Sequence, residues 1–488
     1  MSYLFLPVIL VVATAMRFYH NTSVALWHDE AFSALYLRYP WEGMFYRIGL
    51  DVHPPLYYIL LRIWSYFAGD SLLSLRLLSI LFGVLTVWAG YLFVKQAFGN
   101  KKLALLASLL LAINPFQIQY ALEARMYTLG TFLVLWSSYL LQKALDNSVQ
   151  DGRKNIKYWL GYSVIVAAGL YTHYYVLFSI AAQGLYIIFY FVRSKKFNIL
   201  FKSALAYGLS VLLYLPWVPT LLAQIKRVEE SYWIPAMDRW SVPGTVWKMM
   251  FGGQGIGRIY LAVASAISLF LIIYFIRRVR SFAKWYVLLG LLVPISAAIA
   301  VSLRTNLYLD RYFVFASLFF SILVVITFLK ISNRAVRWFL ILALIAGSLF
   351  AFFKNWSDLG IKNKPGMAAA SAYINQNAKF GNKIYVGSSF IFFTFKYYNG
   401  TGITPLLISS EPIESIPHFS GTAILTNDDL ILDISRAQKN STVWLLWTTG
   451  FGGSKPQVPA DWRQISETSF EDAPGFKGWI VTTKYLVN

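Results

Sequence analysis

The sequence predicts an α-helical polytopic membrane protein of about eleven transmembrane helices with a C-terminal extracytoplasmic α/β domain. Three observations predict it. Of 488 residues, 57% are hydrophobic and 13% charged, and mean hydropathy is +0.54; a soluble domain carries about 25% charged residues. Apolar runs recur at the length that crosses a hydrocarbon core, roughly 20 residues. After Phe353 these runs stop, and short strand-like segments bounded by turn residues replace them.

The first apolar run, from Tyr3 to Met16, lacks a basic leading region and a small-residue cleavage site, so it reads as a retained span at about 2–19. Further spans are expected at 72–94, 103–118, 124–142, 158–172, 174–192, 203–222, 259–276, 285–303, 311–329 and 337–353. With the N-terminus in the cytoplasm, one side of the membrane receives Lys95, Lys101, Lys102, then Lys143, Arg153, Lys154, Lys157, then Arg193, Lys195, Lys196, Lys202. It also receives Arg277, Arg278, Arg280, Lys284 and Lys330, Arg334, Arg337, opposed only by Asp146 and Asp151. That asymmetry is the positive-inside pattern and places the chain in the cell membrane as a multi-pass protein. Residues 158–192 are one apolar block of 35 residues. As a single helix it would be roughly 52 Å long, too long for one crossing. Basic loops flank it on both sides, so it crosses twice and turns near Thr172-His173.

Residues 55–68 are too short to span and contain Arg62, which suits a helix lying at the outer interface with Pro55 at its start. The first domain is therefore 1–353, with an outer loop at 20–55 and the surface helix at 55–68. The second domain is 354–488. Within it a helix is expected at 365–377, and strands at Lys383–Val386, Pro405–Ile408, Thr422–Leu425 and Val443–Trp447. Asn399-Gly400, Asn427-Asp428-Asp429 and Gly452-Gly453 supply the turns. A glycine-rich phosphate loop is missing there, which argues against a nucleotide site.

The net charge of +21 invites a nucleic-acid reading. In so apolar a chain it is better explained by the basic loops that fix orientation, so no nucleic-acid partner is expected. The absence of cysteine excludes disulfides, thiol nucleophiles and thiolate metal sites.

The ionisable residues at the spans collect on the outer rim. Asp29, Glu30 and His53 lie in the first outer loop, and Arg76 sits about one turn into the second span. Glu123 and Arg125 open the fourth span, His173 is at the outer turn, and Asp310 and Arg311 open the tenth. Each has an ordinary structural reading: Asp29-Glu30 as solvated surface, Arg125 and Arg311 as snorkelling or paired with Glu123 and Asp310, and His53 and His173 as packed loop residues. Together they place carboxylates and guanidiniums on one rim. Arginine's planar fork suits phosphate, and a carboxylate suits a base. That set fits transfer from a lipid-phosphate-linked group at the membrane surface. Positive charge stabilises the departing phosphate and a single base activates the acceptor, with inversion.

Six segments occur in order: Trp27-His-Asp-Glu30, His53-Pro-Pro-Leu-Tyr-Tyr58, Arg76-Leu-Leu-Ser79, Glu123-Ala-Arg-Met-Tyr127, Thr172-His-Tyr-Tyr175 and Asp310-Arg-Tyr-Phe313. Over residues 1–330 the chain resembles the GT-C superfamily of glycosyltransferases, and within it the relatives of protein O-mannosyltransferases and of the lipid A aminoarabinose transferase. The resemblance implies an inverting glycosyltransferase that moves a monosaccharide from a polyprenyl-phosphate donor to a glycan, lipid or protein acceptor. It implies Asp29 as catalytic base with Glu30 beside it. His53, Arg76, Arg125 and Arg311 would lie at the donor phosphate, with Glu123, His173 and Asp310 supporting. His53 replaces a lysine of the aminoarabinose branch, and Leu78 stands where many relatives carry proline. The β-trefoil insert of the protein-mannosylating branch is missing. No cofactor is expected. His28, Asp29 and Glu30 adjoin in sequence, but neighbours rarely share a metal's coordination sphere, so metal dependence is not favoured. The competing readings are a polytopic transporter or flippase, and a membrane-anchored binding protein whose outer domain does the work.

Overall fold

The computed structural model describes residues 5–147, 156–230, 233–253, 257–358, 366–450, 453–472 and 478–488. Tyr3, Asp151, Arg153, Lys154, Pro365 and Gly452, used in the sequence reading, lie outside the described residues.

Helix α1 (Phe5–Phe18) is followed by α2 (His28–Tyr36) and α3 (Trp41–Leu50), and then by α4 (Leu56–Ala68) where a surface helix was expected. Next come α5 (Leu72–Phe98), α6 (Lys101–Ile113), α7 (Pro115–Ala121), α8 (Tyr127–Asn147), α9 (Ile156–Leu170) and α10 (Val176–Ser194). The series continues with α11 (Phe197–Tyr214), α12 (Val218–Glu230), α13 (Ser241–Phe251), α14 (Arg258–Arg278), α15 (Lys284–Ser302), α16 (Val314–Leu329) and α17 (Arg334–Asp358).

Seven helical stretches among the described residues have the length and hydropathy to cross a membrane; the α6–α7 pair makes eight if taken as one broken span. Helices α1 and α9 are apolar but shorter. Helix α8 is long enough, yet carries Ser137, Ser138, Gln142 and Lys143. All eleven expected segments are therefore helical, with one correction: 103–118 is not a single rod. It bends by 57° between α6 and α7, because Pro115 has no N–H to continue the helix and holds Asn114 in extended backbone (ψ 119°). Helix α11 passes Pro216 through a 3₁₀ turn, Leu215–Trp217, and runs on as α12 beyond the expected end at 222.

The chain divides into two compact units. The first comprises Met1–Tyr19, His53–Leu60 and Arg76–Asn355. Its centre is α16, in which every residue from Val314 to Thr327 is buried, as an all-round apolar helix requires. Phe315 and Phe319 dock where neighbouring helices carry glycine. A Cβ on Gly130 of α8 would lie 2.5 Å from Phe315, and one on Gly290 of α15 would lie 2.6 Å from Phe319. By contrast α14 leaves Ile259, Val263, Leu269 and Phe270 exposed, which suits a helix facing lipid.

The second unit comprises His20–Val52, Leu61–Leu75 and Trp356–Asn488. It holds α2, α3, and the C-terminal helices α18 (Gly366–Asn377) and α19 (Ser389–Tyr398). Its six-stranded sheet has the order β3-β2-β1-β4-β6-β5. The strands are β1 (Lys383–Val386), β2 (Pro405–Ile408), β3 (Leu430–Ile431), β4 (Thr442–Thr448), β5 (Trp462–Glu471) and β6 (Trp479–Val487). Strands β1 to β4 pair in parallel, while β6 runs antiparallel to β4 and β5. The buried run Val443–Leu446 in β4 has the unbroken apolar character of a central parallel strand.

Thr422–Leu425 is not a strand. The N–H groups of Ile424 and Leu425 both turn back to the carbonyl of Gly421, and the carbonyls of Ala423 and Ile424 accept from Arg47 Nη1 and Tyr39 Oη. The segment is apolar because it is buried, and its backbone bonds go to Gly421 and to side chains instead of a neighbouring strand. Helix α2 packs on α19: Phe32 meets Phe393 at 4.9 Å between ring centroids, and Tyr398 Oη accepts the Leu26 N–H at 2.9 Å. Arg38 caps the end of α19 by donating to the carbonyls of Lys396 and Tyr397.

Candidate active site

In the first unit, Arg125 is the buried hub of a polar cluster. It follows α7 by a short turn in which its own N–H reaches the Glu123 carbonyl at 2.7 Å. Its Nη1 donates to Tyr58 Oη at 3.2 Å and its Nη2 to His53 Nε2 at 3.1 Å. Ser79 Oγ donates to its carbonyl at 3.2 Å, and Ser79 bonds Tyr57 Oη at 2.8 Å. A guanidinium has no lone pair to offer, so His53 Nε2 is the acceptor in this contact. The start of α4 is fixed by the Leu56 N–H on the Tyr171 carbonyl at 2.9 Å. His53, Tyr57 and Tyr58 are thereby held against the turn before α10.

Arg76 is also buried, at 3% exposure. It stands three residues before Ser79 on α5, so the two share a helix face, the one that meets Arg125.

His173 is buried in the turn between α9 and α10, ringed by Tyr127, Tyr312 and Phe315. Its Nδ1 accepts the Tyr175 N–H at 3.1 Å, which leaves the proton on Nε2. Burial pushes its pKa well below the usual histidine range, and the nearby His53, Arg125 and Arg311 push it the same way.

Asp310 and Arg311 open the 3₁₀ turn Asp310–Phe313 that leads into α16. Asp310 Oδ2 is 2.6 Å from Lys248 Nζ, and the lysine side chain is only 5% exposed. Arg311 lies 5.7 Å from the ring centre of Trp233. The charges of Glu123, Arg311 and Asp310 all act on the buried Tyr120 at the end of α7. Arg311 therefore belongs to both neighbourhoods, that of Tyr120 and that of His173.

Six expected site residues, His53, Glu123, Arg125, His173, Asp310 and Arg311, thus lie in one electrostatic neighbourhood of the first unit, with Arg76 on the face of α5 that borders it. Asp29 and Glu30 belong to the second unit. Both sit in the first turn of α2, where a carboxylate is stabilised by the helix dipole. Glu30 is fully buried and accepts the Trp27 N–H at 3.4 Å, while Asp29 is half-buried. Tyr36 donates to Asp51 at 3.4 Å at the other end of this helical pair.

Sequence reasoning missed Tyr58, Ser79 and Lys248. The first two stood inside quoted segments, and the i, i+3 spacing of Arg76 and Ser79 signals a shared face. Lys248 is a single cation in the apolar run Val246–Phe251, a placement that itself asks for a buried partner. Among the described residues no group of three or more His, Cys, Asp or Glu is arranged to hold a metal ion.

Residues 52–222 match the family described as dolichyl-phosphate-mannose-protein mannosyltransferase. No curated protein sequence matches the chain. Among solved structures it is similar to ArnT from Cupriavidus metallidurans bound to undecaprenyl phosphate, with a TM-score of 0.61 and 13% identity over 99% of this chain and 97% of that one. It is also similar to the Archaeoglobus fulgidus oligosaccharyltransferase in complex with zinc and sulfate, at a TM-score of 0.55 and 15% identity over 82% of this chain. The same archaeal enzyme, AglB, crystallised with an inhibitory peptide and a dolichol-phosphate, gives a TM-score of 0.54 at 12% identity over 83% of this chain and 64% of that one. The chain spans 62% of the length of the archaeal enzyme in its zinc and sulfate form.

Proposed function

We propose that the chain is a GT-C-type glycosyltransferase, a reading supported by its fold and its mannosyltransferase-like segment, and that it transfers a monosaccharide from a polyprenyl-phosphate donor to an acceptor at the outer face of the cell membrane. The observation that carries the proposal is the buried cluster of Arg125, His53 and Tyr58, with Arg311 in its electrostatic neighbourhood. A buried guanidinium offers a planar fork of donors that matches the oxygens of a phosphate. ArnT and AglB, which share the fold, were crystallised with undecaprenyl phosphate and dolichol-phosphate, and a lipid phosphate is the anion that reaches a membrane-embedded site.

In this reading Arg125, Arg311 and Arg76 hold the phosphate and stabilise the charge it gains as the sugar leaves. His53 and Tyr58 fix the plane of the Arg125 fork. Asp29 takes the proton from the acceptor hydroxyl or amine, and the sugar is transferred in one displacement with inversion at the anomeric carbon. Glu30 secures the first turn of α2 on which Asp29 stands. Lys248 pairs with Asp310 at the turn into α16 that carries Arg311. The basic loops support a cytoplasmic N-terminus, and with it an outer-face position for these residues.

The test is transfer by the purified full-length protein from a panel of polyprenyl-phosphate monosaccharides. The expected result is transfer from at least one donor with inverted anomeric configuration, lost in the Asp29→Asn variant. Retention of configuration, or full turnover by folded Asp29→Asn, would overturn the assignment.

A further inference from the structure

Arg17 is 1% exposed, at the end of α1. Its guanidinium is directed at the break between α6 and α7. Nη1 donates to the Ala112 carbonyl at 2.9 Å and to Ala13 in its own helix at 3.1 Å, and Nη2 donates to the Leu111 carbonyl at 3.3 Å. Leu111 lies four residues before Pro115. In an unbroken helix its carbonyl would accept the N–H of residue 115, which proline does not have. A carbonyl left bare at membrane depth is costly, and here an arginine from another helix supplies the missing donor. Gly83 of α5 makes room for it: a Cβ there would sit 2.9 Å from Arg17 Nε and 3.2 Å from Ala121 Cβ in α7.

The half-helix α7 is fastened at the same end by other groups. Asn114 Oδ1 accepts the Gln117 N–H at 3.0 Å, and Asn114 Nδ2 donates to the Met249 carbonyl at 3.1 Å. Gln117 Nε2 donates to the Val314 carbonyl at 2.9 Å and to Ser317 Oγ at 2.7 Å. The direction of α7 is therefore set at its base, while its far end runs through Tyr120 to Glu123 and Arg125. A small change of angle at the break becomes a displacement of the Arg125 fork.

We propose that Arg17 is a positioning residue: by holding the carbonyls freed at Pro115 it sets the angle of α7 and so the placement of Arg125 at the donor phosphate. The part that concerns the donor rests on the function proposed above; the part that concerns the bend does not.

The native chain has no cysteine, so two can be introduced for spin labels without background. K102C on α6 and Q119C on α7 report the bend in the full-length protein in nanodiscs. In R17M the distance distribution between the labels is expected to shift, and KM for the polyprenyl-phosphate sugar to rise more than kcat falls, with kcat/KM down on the order of 100-fold, the penalty of an ångström-scale misplacement. G83A, which keeps Arg17 but crowds it, is expected to move both readings in the same direction. If R17M does not fold, R17M/P115A restores an N–H donor to the Leu111 carbonyl. Its melting should recover, while the label distance and KM remain displaced.

Unchanged label distances in R17M overturn the proposal, as does a shifted distance with wild-type KM and kcat. A double variant that regains wild-type distance and kinetics shows that Arg17 only stabilises, which also overturns it. A shifted distance in a protein that transfers from no polyprenyl-phosphate sugar counts against the proposed function and leaves the hold of Arg17 on the bend standing.

Discussion

Arg125 makes two side-chain bonds that no lysine could reproduce together, one to Tyr58 and one to His53. Arg125→Lys is therefore expected to raise KM for the donor by roughly ten-fold or more, since a charge-assisted bond contributes about 1.5–3 kcal/mol, while the protein still folds; steady-state kinetics over a donor titration checks this. Asp29→Asn is expected to lower kcat by about 100-fold or more, the usual contribution of a general base, with undecaprenyl phosphate binding unchanged in a thermal-shift titration. His173 gives a pH prediction. Its folded pKa is depressed by burial, with the cationic neighbours acting in the same direction, whereas an unfolded histidine titrates near ~6.5. Below that pH the unfolded chain takes up a proton that the folded chain refuses, so the contribution to stability is intact above ~6.5 and is lost as pH falls towards the folded pKa. A His173→Gln variant that folds should show a smaller drop in melting temperature between pH 7 and pH 5 than the wild type. Legibility at this scale followed charge. Ionisable residues in an apolar chain stand out, so Arg125, Arg311 and His173 could be named from the sequence, while Tyr58 was hidden among 32 tyrosines.

Helices were legible where hydrophobicity alone decides, and not where a single backbone group does. Helices α5, α10, α14 and α17 follow from apolar length. The α6–α7 bend depends on one missing N–H at Pro115 and on a donor that arrives from Arg17, 94 positions away from Leu111 in sequence. Helix α19 misleads in another way. Ser-Phe-Ile-Phe-Phe-Thr-Phe has the composition of a strand, but it forms a helix with Ile391–Phe395 buried. Strand β5 escaped because it is mostly exposed and polar on the sheet edge, with a bulge between Gln464 and Ser466. The contact of α19 with α2 yields a prediction of its own. Tyr398→Phe removes the acceptor for the Leu26 N–H, which should cost about 1–3 kcal/mol of stability in the second unit. Hydrogen exchange should become faster in α2 than in α14 of the same variant.

At the scale of the whole molecule, the C-terminal segment and the first-loop helices form one compact unit, whereas the sequence reading grouped that loop with the membrane helices. Hydropathy sorts residues by solvent and carries no information about which polar segments pack together, so this grouping could not be read from the chain. Deleting residues 363–488 is accordingly expected to abolish transfer even though it spares every residue named at the site, because α2 loses Phe393 and Tyr398. A truncated protein that inserts normally and retains turnover would show that α2 stands without α19.

The bond between Leu26 and Tyr398 joins residues 372 positions apart. During synthesis the segment carrying Asp29 leaves the ribosome well before its packing partner, which follows about 370 positions later. A nascent chain can thread helix after helix into the bilayer while this early loop stays unfinished. The turn that carries Asp29 is therefore completed only after α19 has been made.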